Sequence, residues 1–346
     1  MEQLKQLLTA AGIAYKENEP LAAHCTFKIG GPARLFVQPV DHAQLCRTVA
    51  LCKAQSVRYY LLGNGSNILF ADEGYDGAVL DISSMQDAVE VHGTQLTAGA
   101  GVRLSALCKT ALEHGLTGLE FAYGIPGTVG GAVYMNAGAY GGEIRAVCRW
   151  SQEMLPDGTL VRREGVSQGF GYRTSVFQHT DGVIVRACFA LQPGDPGIIR
   201  ETMRELMTRR TVSQPLDLPS AGSAFKRPQG GYAAALIESA GLKGLTVGGA
   251  QVSEKHAGFV VNRGGATAAD VLELLRQVQP GLGGSGAQQQ PPPAPQQQHH
   301  LVPGGLLDLF NAGVFRLGGG LPDHGAQANG VQRHITPPPS SGRTAR

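Results

Sequence analysis

The sequence predicts a mixed α+β protein with more than one domain. Several short apolar runs end at Gly or Asp, as strands do, and longer segments place apolar residues three and four positions apart, as amphipathic helices do. The chain has 346 residues, 42% of them hydrophobic, which is enough for two or three domains that each bury a core.

Charge and composition exclude several classes of function. The net charge is only +2, and the sequence shows no basic stripe of the kind that binds phosphate backbones. We therefore expect no nucleic-acid partner. No apolar run is long enough to span a bilayer, and the start of the chain lacks the pattern of a secretion signal. The six scattered cysteines, without a Cys-x-x-Cys pair, are typical of reduced core residues. We therefore expect a cytoplasmic protein with no membrane contact and no evident obligate protein partner.

The elements follow in order after a first short helix that carries Leu4, Leu7 and Leu8. Strands are predicted at 57–62, 77–82, 131–136 and 182–191, each bounded by turn residues. A helix is predicted over 102–114, with Gly115 at the position of a left-handed C-terminal cap.

The second half predicts a connecting helix and a smaller domain. The helix lies between Pro193 and Pro215, and the domain contains a helix at 233–240, a strand at 259–262 and a last helix. That last helix starts with a capping box from Thr267 to Asp270. We predict an N-terminal helix in 1–20, one domain in 21–195, a second in 196–279, and a disordered low-complexity tail in 280–346.

A first glycine-rich loop comes directly after the strand at 57–62. Its clustered Gly, Ser and Asn residues expose backbone N–H groups, against which a pyrophosphate could lie. The loop lacks both the Gly-x-Gly-x-x-Gly and the Gly-Lys-Ser/Thr patterns, so it also fits an ordinary turn. The candidate cofactor-binding residues are Gly63, Asn64, Gly65, Ser66 and Asn67.

A second, longer glycine-rich loop covers 124–141. So many glycines beside a strand bring bare backbone close to a flat or anionic group. Two such loops favour a large cofactor over chance. The candidates here are Gly124, Ile125, Pro126, Gly127, Gly130, Gly131, Ala132, Asn136, Ala137 and Gly138.

Ser223 lies in the segment Ser220-Ala221-Gly222-Ser223-Ala224-Phe225-Lys226-Arg227-Pro228, beside two cations. The segment carries no His base or acidic partner, so this serine is a poor nucleophile. A hydroxyl held among cations can instead protonate a carbanion or enolate, which favours a reductase over a hydrolase. The alternative is a Gly-Ser turn with a purely structural role.

These motifs together resemble the UDP-N-acetylenolpyruvoylglucosamine reductase (UDP-N-acetylmuramate dehydrogenase) family, in its compact second type. The resemblance covers about residues 1–279. It is carried by Thr26-Phe27-Lys28-Ile29-Gly30-Gly31-Pro32-Ala33, both glycine loops, Phe170-Gly171-Tyr172-Arg173-Thr174-Ser175-Val176-Phe177, the Ser223 segment, and Gly248-Gly249-Ala250-Gln251-Val252-Ser253-Glu254-Lys255-His256-Ala257-Gly258-Phe259.

The resemblance implies an FAD-binding domain of the vanillyl-alcohol oxidase (PCMH) type, followed by a small α/β substrate-binding domain. FAD would lie on the two glycine loops, be reduced by NADPH, and pass hydride to the enolpyruvyl ether of UDP-N-acetylglucosamine. Arg173 would stabilise the enolate and Ser223 would deliver the proton. Tyr172, Lys226, Arg227 and Gln251 are candidates for binding the substrate, although cations on a solvated face are the alternative for Lys226 and Arg227.

The sequence departs from the family at its C-terminal end. Members usually carry a Leu-Glu-Pro-Glu type motif there, whose glutamate helps to polarise the enol intermediate. Glu273 is the last glutamate of this chain. Two alternatives to the active reductase therefore stay open: a catalytically impaired protein that binds FAD and UDP-sugar, and a different flavin oxidase or dehydrogenase on the same scaffold.

Overall fold

The computed structural model describes residues 1–85, 88–228 and 231–282, and the predicted tail lies outside them from residue 283 onward. The helices are α1 Glu2–Ala10, α2 His42–Ala54, α3 Leu104–Glu113, α4 Val129–Tyr134, α5 Pro196–Ser213, α6 Ala233–Ser239 and α7 Ala268–Leu282. The strands are β1 Ala14–Pro20, β2 Pro32–Gln38, β3 Tyr59–Leu62, β4 Tyr75–Asp81, β5 Val89–His92, β6 Gln95–Gly99, β7 Leu116–Thr117, β8 Gly138–Ala139, β9 Gly142–Glu143, β10 Cys148–Met154, β11 Leu160–Glu164, β12 Val183–Ala190, β13 Gln192–Pro193, β14 Ser220–Ser223, β15 Thr246–Val247, β16 Ala250–Val252 and β17 Phe259–Asn262.

Two larger sheets build the first part of the molecule. The first sheet has the order β1-β2-β4-β3, with β2, β4 and β3 parallel and β1 antiparallel. The second sheet has the order β11-β10-β12-β6-β5 and is antiparallel throughout. Two short antiparallel pairs, β7 with β13 and β8 with β9, complete this part.

The first sheet is buried on both faces, which is why β2 and β4 are apolar without alternation. Leu35 and Val37 face the core that this sheet shares with the second sheet and α3. Phe36 and Val79 face a second core, shared with α6, α7 and the strands β14 to β17. The C-terminal part therefore packs on the far face of the first sheet.

Polar contacts fix the C-terminal part in this position. Its sheet has the order β14-β17-β16-β15 and is antiparallel. Thr26 Oγ1 donates to the carbonyl of Ser220 at 2.6 Å. The carboxylate of Asp72 accepts hydrogen bonds from the backbone N–H groups of Ala268 and Ala269, at 2.7 and 3.0 Å, and so caps α7 from the other domain.

Most predicted elements are confirmed. The predicted helices appear as α3, α5, α6 and α7, and three of the four strands in the first half as β3, β4 and β12. Gly115 has a φ of +62° after α3, and Thr267 and Asp270 form the expected reciprocal cap. The segment 1–20 contains β1 in addition to the predicted helix.

The predicted strand at 131–136 is wrong, because this segment begins inside helix α4. Thr128 caps the helix by accepting a hydrogen bond from the N–H of Gly131 at 3.4 Å. Gly130 N also donates to the carbonyl of Ala100 at 2.9 Å. These tertiary contacts outweigh the low helix propensity of two adjacent glycines.

The six cysteines are free thiols, as the sequence predicts. Burial raises the pKa of Cys52, Cys108 and Cys148 to about 12. Within the described residues, no helix combines the length and the apolar composition needed to cross a bilayer.

Candidate active site

A cleft of about 1720 Å³ lies between the two glycine loops, the 172–173 segment and the C-terminal domain. Ordinary small-molecule pockets measure roughly 300–1,000 Å³. This cleft therefore has room for a dinucleotide together with a second ligand.

The first glycine loop follows β3 and is held rigidly by packing. Gly65 has a φ of +59°, and a Cβ at this position would lie 2.3 Å from the carbonyl oxygen of His24. A Cβ at Gly63 would lie 2.6 Å from Thr128 Oγ1. Asn64 Nδ2 donates to the carbonyl of Pro126 at 3.0 Å and so joins the first loop to the second. Both glycines are needed for the wall itself, before any ligand binds.

The second glycine loop leads into α4 and contains glycines of two kinds. Gly130 packs against the neighbouring strand end, since a Cβ there would lie 2.9 Å from the Cβ of Ala100. Gly127 has open space, with its nearest neighbouring atom 3.8 Å away in the side chain of Leu104. A glycine such as Gly127 leaves bare backbone facing the cleft, where a ligand can approach closely.

Arg173 reaches the cleft from an irregular point of the backbone. Its φ is +56°, a conformation that costs free energy in a residue other than glycine. Its Nη2 atom donates to Asn67 Oδ1, in the first glycine loop, at 2.7 Å. Its Nε atom is buried without a hydrogen-bond partner, and burial lowers the pKa of the guanidinium. The side chain is thus fixed at one end and has an unused donor in the cleft.

Ser223 is presented by a bulge in β14. Ser220 pairs with Val261 and Ser223 with Phe259, so one extra residue is accommodated between the two pairs. Gly222 has a φ of +83°, which makes the bulge possible. The half-buried hydroxyl of Ser223 donates to the carbonyl of Gly258 at 3.3 Å.

The chain after Ser223 alternates between two faces. Ser223, Phe225 and Arg227 line the cleft, whereas Lys226 is not among its lining residues. The backbone N–H of Arg227 donates to Tyr172 Oη at 3.4 Å, and the Arg227 guanidinium lies 4.2 Å from the ring centroid of Tyr232. The Arg227–Tyr172 hydrogen bond joins the two domains at the edge of the cleft, and Tyr232 holds the Arg227 side chain from within the C-terminal domain.

Most of the predicted site residues come together in this one cleft. Those that line it are Gly63, Asn64, Gly65, Ser66, Asn67, Ile125, Pro126, Gly127, Gly130, Gly131, Ala132, Ala137, Gly138, Tyr172, Arg173, Ser223 and Arg227. Four predicted residues do not line it: Gly124, Asn136, Lys226 and Gln251.

Internal hydrogen bonds explain two of these four positions. The Asn136 amide donates to Glu143 Oε2 and to the carbonyl of Gly171, both at 2.9 Å, so it braces the bend before Arg173. The Gln251 amide donates to Thr246 Oγ1 at 3.1 Å, on its own sheet. Contact of Asn136 or Gln251 with a ligand therefore stays a prediction. Their positions outside the cleft do not support it.

Sequence reasoning missed several lining residues. Arg210 of α5, Gln214 directly after this helix and Tyr140 of the β8–β9 turn line the cleft without any motif to mark them. His256, which belongs to the 248–259 motif of the sequence, also lines the cleft, and its Nδ1 accepts a hydrogen bond from the N–H of Gly258 at 3.1 Å. Burial lowers the pKa of His256, which favours the neutral ring.

The site fits a large anionic dinucleotide. Two glycine loops form one wall, and two arginines that line the cleft, Arg173 and Arg210, each have a buried Nε atom without a partner. Buried donors are nearly always satisfied in folded proteins, so these atoms point to ligand acceptors. The model of an FAD-binding domain matches residues 33–164, which include both loops. Fold and site thus define a flavoprotein oxidoreductase.

The remaining comparisons identify the family. Residues 214–282 match the C-terminal domain of UDP-N-acetylenolpyruvoylglucosamine reductase. The enzyme of that name from Caldanaerobacter subterraneus subsp. tengcongensis is 43% identical over 279 residues, which are 81% of this chain and 91% of the relative. The one from Limosilactobacillus fermentum is 46% identical over 278 residues, 80% of this chain and 92% of the relative. The chain belongs to the UDP-N-acetylenolpyruvoylglucosamine reductase family.

A solved structure agrees with this assignment and with the predicted fold class. The crystal structure of UDP-N-acetylenolpyruvylglucosamine reductase from Thermus caldophilus superposes with a TM-score of 0.66 at 36% identity. The aligned region is 78% of this chain and 94% of the Thermus caldophilus chain. The prediction of an FAD-binding α+β protein is confirmed.

Proposed function

We propose that this chain reduces UDP-N-acetyl-3-O-(1-carboxyvinyl)-glucosamine to UDP-N-acetylmuramate with NADPH, a step of peptidoglycan precursor synthesis. The names of its relatives and the match to an FAD-binding domain support this reaction. Bound FAD would accept hydride from NADPH and pass it to the terminal carbon of the enol ether. The location we propose is the cytoplasm, where free thiols such as the six of this chain persist.

Arg173 stabilises the charge that the hydride creates. Addition to the terminal carbon drives negative charge onto the neighbouring carbon and its carboxylate. A guanidinium fixed by Asn67 at 2.7 Å, with its buried Nε atom unused, can pair with that carboxylate. This placement beside the first glycine loop is the observation that carries the proposal.

Ser223 then delivers the proton to the carbon that bears the carboxylate. Its hydroxyl lines the same cleft as Arg173 and is oriented by the bulge of β14. The proposal does not require Lys226, which is absent from the lining residues. Tyr172 and Arg227, which contact each other across the domains, are positioned to bind the diphosphate of the substrate.

A second candidate function follows from the missing glutamate. Glu273, the last glutamate of the sequence, is paired with Arg276 on α7 at 2.8 Å and is not among the lining residues. Loss of one electrostatic stabiliser commonly costs about 100- to 1,000-fold in turnover. The alternative is therefore a protein that binds FAD and the UDP-sugar but reduces it poorly.

NADPH consumption by FAD-loaded protein separates the candidates. The reductase consumes NADPH rapidly only when the enolpyruvyl UDP-sugar is present. The impaired protein has a normal flavin spectrum and binds the UDP-sugar, but does not accelerate NADPH consumption. Rapid consumption of NADPH with oxygen alone, unaffected by UDP-sugars, would contradict both and indicate a flavin oxidase.

A further inference from the structure

In the described part of the chain, two buried polar side-chain atoms lack a hydrogen-bond partner. They are the Nε atoms of Arg173 and Arg210. Both arginines line the same cleft. A buried donor without an acceptor destabilises the folded protein, so such an atom calls for a partner. The proposed reaction gives Arg173 an acceptor in the substrate carboxylate, but it gives none to Arg210.

The surroundings of Arg210 hold its guanidinium against the cleft wall. Its Nη1 atom donates to Gln214 Oε1 at 3.2 Å, and its guanidinium carbon lies 5.8 Å from the ring centroid of Tyr140. A Cβ on Gly124 would lie only 2.9 Å from Arg210 Nε. The missing side chain of Gly124 therefore leaves room for Arg210.

The neighbouring arginines on α5 are disposed differently. Arg204 pairs with Glu201 at 2.7 Å, and Arg209 pairs with Glu205 at 3.8 Å, all on the exposed side of the helix. Arg209 also lies near Tyr140, at 5.5 Å from its ring centroid. Arg210 differs from Arg209 in its buried, unsatisfied donor at the cleft.

We propose that Arg210 binds an anionic group of FAD. Gly124 begins the second glycine loop, and the carbonyl of Pro126 in that loop holds Asn64 of the first, so Arg210 contacts the wall assigned to the cofactor. The residues proposed to act on the substrate, Ser223 and Arg227, belong instead to β14 and to the segment directly after it. A planar guanidinium suits a delocalised anion, which FAD offers in its diphosphate and in its reduced ring.

This inference rests on the proposed binding of FAD, and titration of apoprotein with FAD tests it. Arg210→Met should weaken FAD binding about 10- to 100-fold, the range for a hydrogen bond to a charged group. Arg210→Lys keeps the charge but loses the planar guanidinium with its paired donors. Its affinity for FAD should lie between that of Arg210→Met and that of the unsubstituted protein. Arg209→Met, on the same helix and beside the same tyrosine, should bind FAD normally. Circular dichroism would verify that each variant is folded.

The midpoint potential of the bound flavin identifies the anionic group. An unchanged potential in Arg210→Lys would indicate the diphosphate, and a lower potential would indicate the reduced ring; both support the proposal. Normal FAD affinity in Arg210→Met, or a loss confined to UDP-sugar affinity, would overturn it while leaving the proposed reaction intact. Failure of the unsubstituted protein to bind FAD would overturn both.

Discussion

Ser223 and Arg173 reach the cleft from two irregular points of the backbone, a bulge and a residue with positive φ. Their motifs in the sequence were enough to select both residues. The Ser223 segment also suggested Lys226, and the 248–259 motif suggested Gln251, but neither residue lines the cleft. Adjacent residues of an extended segment point to opposite faces, and the sequence does not say which face is which.

Ser223→Ala should separate the two halves of the reaction. Reduction of the flavin by NADPH needs no proton from this hydroxyl and should proceed at its normal rate. Reoxidation by the enolpyruvyl substrate should slow about 100-fold or more, in line with the loss of a general acid. Stopped-flow absorbance of the flavin measures both steps.

Ser239→Ala is the matched control, since Ser239 Oγ donates to the carbonyl of Leu236 within α6. It should leave both steps unchanged. Equal slowing of both steps in Ser223→Ala would contradict the assignment of this serine as proton donor.

His256 should make the protein sensitive to mild acid. Burial is the largest cause of its lowered pKa, to which Lys243 contributes, while Glu238 acts in the opposite direction. Because the folded state disfavours the charged ring, the unfolded state takes up the proton first as the pH falls below about 6.5. The free energy of unfolding should therefore decrease with falling pH from that point.

His256→Asn keeps an acceptor for the N–H of Gly258 but cannot titrate. Its free energy of unfolding, from urea melts at several pH values, should fall less steeply below pH about 6.5 than that of the unsubstituted protein. Identical slopes would show that His256 does not contribute.

At the scale of elements, α4 shows where sequence patterns were insufficient. Gly130 and Gly131 are poor helix formers, and Val133 and Tyr134 are β-formers, so the sequence around them predicted a strand. The helix forms because Thr128 caps it and the backbone of Gly130 fits against Ala100. Long periodic helices such as α5 and α7, by contrast, could be predicted with their approximate bounds.

The two adjacent glycines of α4 should respond differently to substitution by alanine. In Gly130→Ala the new methyl would lie 2.9 Å from the Cβ of Ala100, so the free energy of unfolding should fall by about 1–3 kcal/mol through overpacking. In Gly131→Ala the nearest atom is 3.5 Å away, so stability should be kept or rise by up to about 1 kcal/mol.

Chemical denaturation and FAD titration together test this pair. Because Gly131 lines the cleft, Gly131→Ala should weaken FAD binding in a protein that is as stable as before. Equal stability of the two variants would contradict the packing described for Gly130.

At the scale of the whole molecule, the cleft depends on how the two domains are joined. The sequence predicted two domains and the connecting helix. It could not predict that they share a core across the first sheet, because residues far apart in sequence meet there, such as Phe36 and Leu274. It also could not place Arg210, which looks like the other arginines of α5.

Asp72→Ala should loosen the C-terminal domain, because it removes the acceptor of two N–H groups at the start of α7. The expected loss in the free energy of unfolding is about 1–2 kcal/mol, as for other helix caps. Hydrogen exchange should increase in α7 while β12 in the second sheet stays protected.

Asp41→Ala removes a cap within the first domain, where Asp41 Oδ1 accepts from the N–H of Gln44 at 2.7 Å. It should increase exchange in α2 and leave α7 unchanged. Unchanged exchange of α7 in Asp72→Ala would contradict the role of this carboxylate in joining the domains.

Analysis of the reaction product shows directly whether this chain is the proposed reductase. FAD-loaded protein, NADPH and the enolpyruvyl UDP-sugar are mixed in D₂O, and the UDP-sugar is analysed by mass spectrometry and proton NMR. The proposed reductase should yield UDP-N-acetylmuramate with deuterium on the carbon that bears the carboxylate, and Ser223→Ala should lose this product. Recovery of the enolpyruvyl UDP-sugar unchanged, from protein that has bound FAD, would contradict the reductase and favour the impaired binding protein.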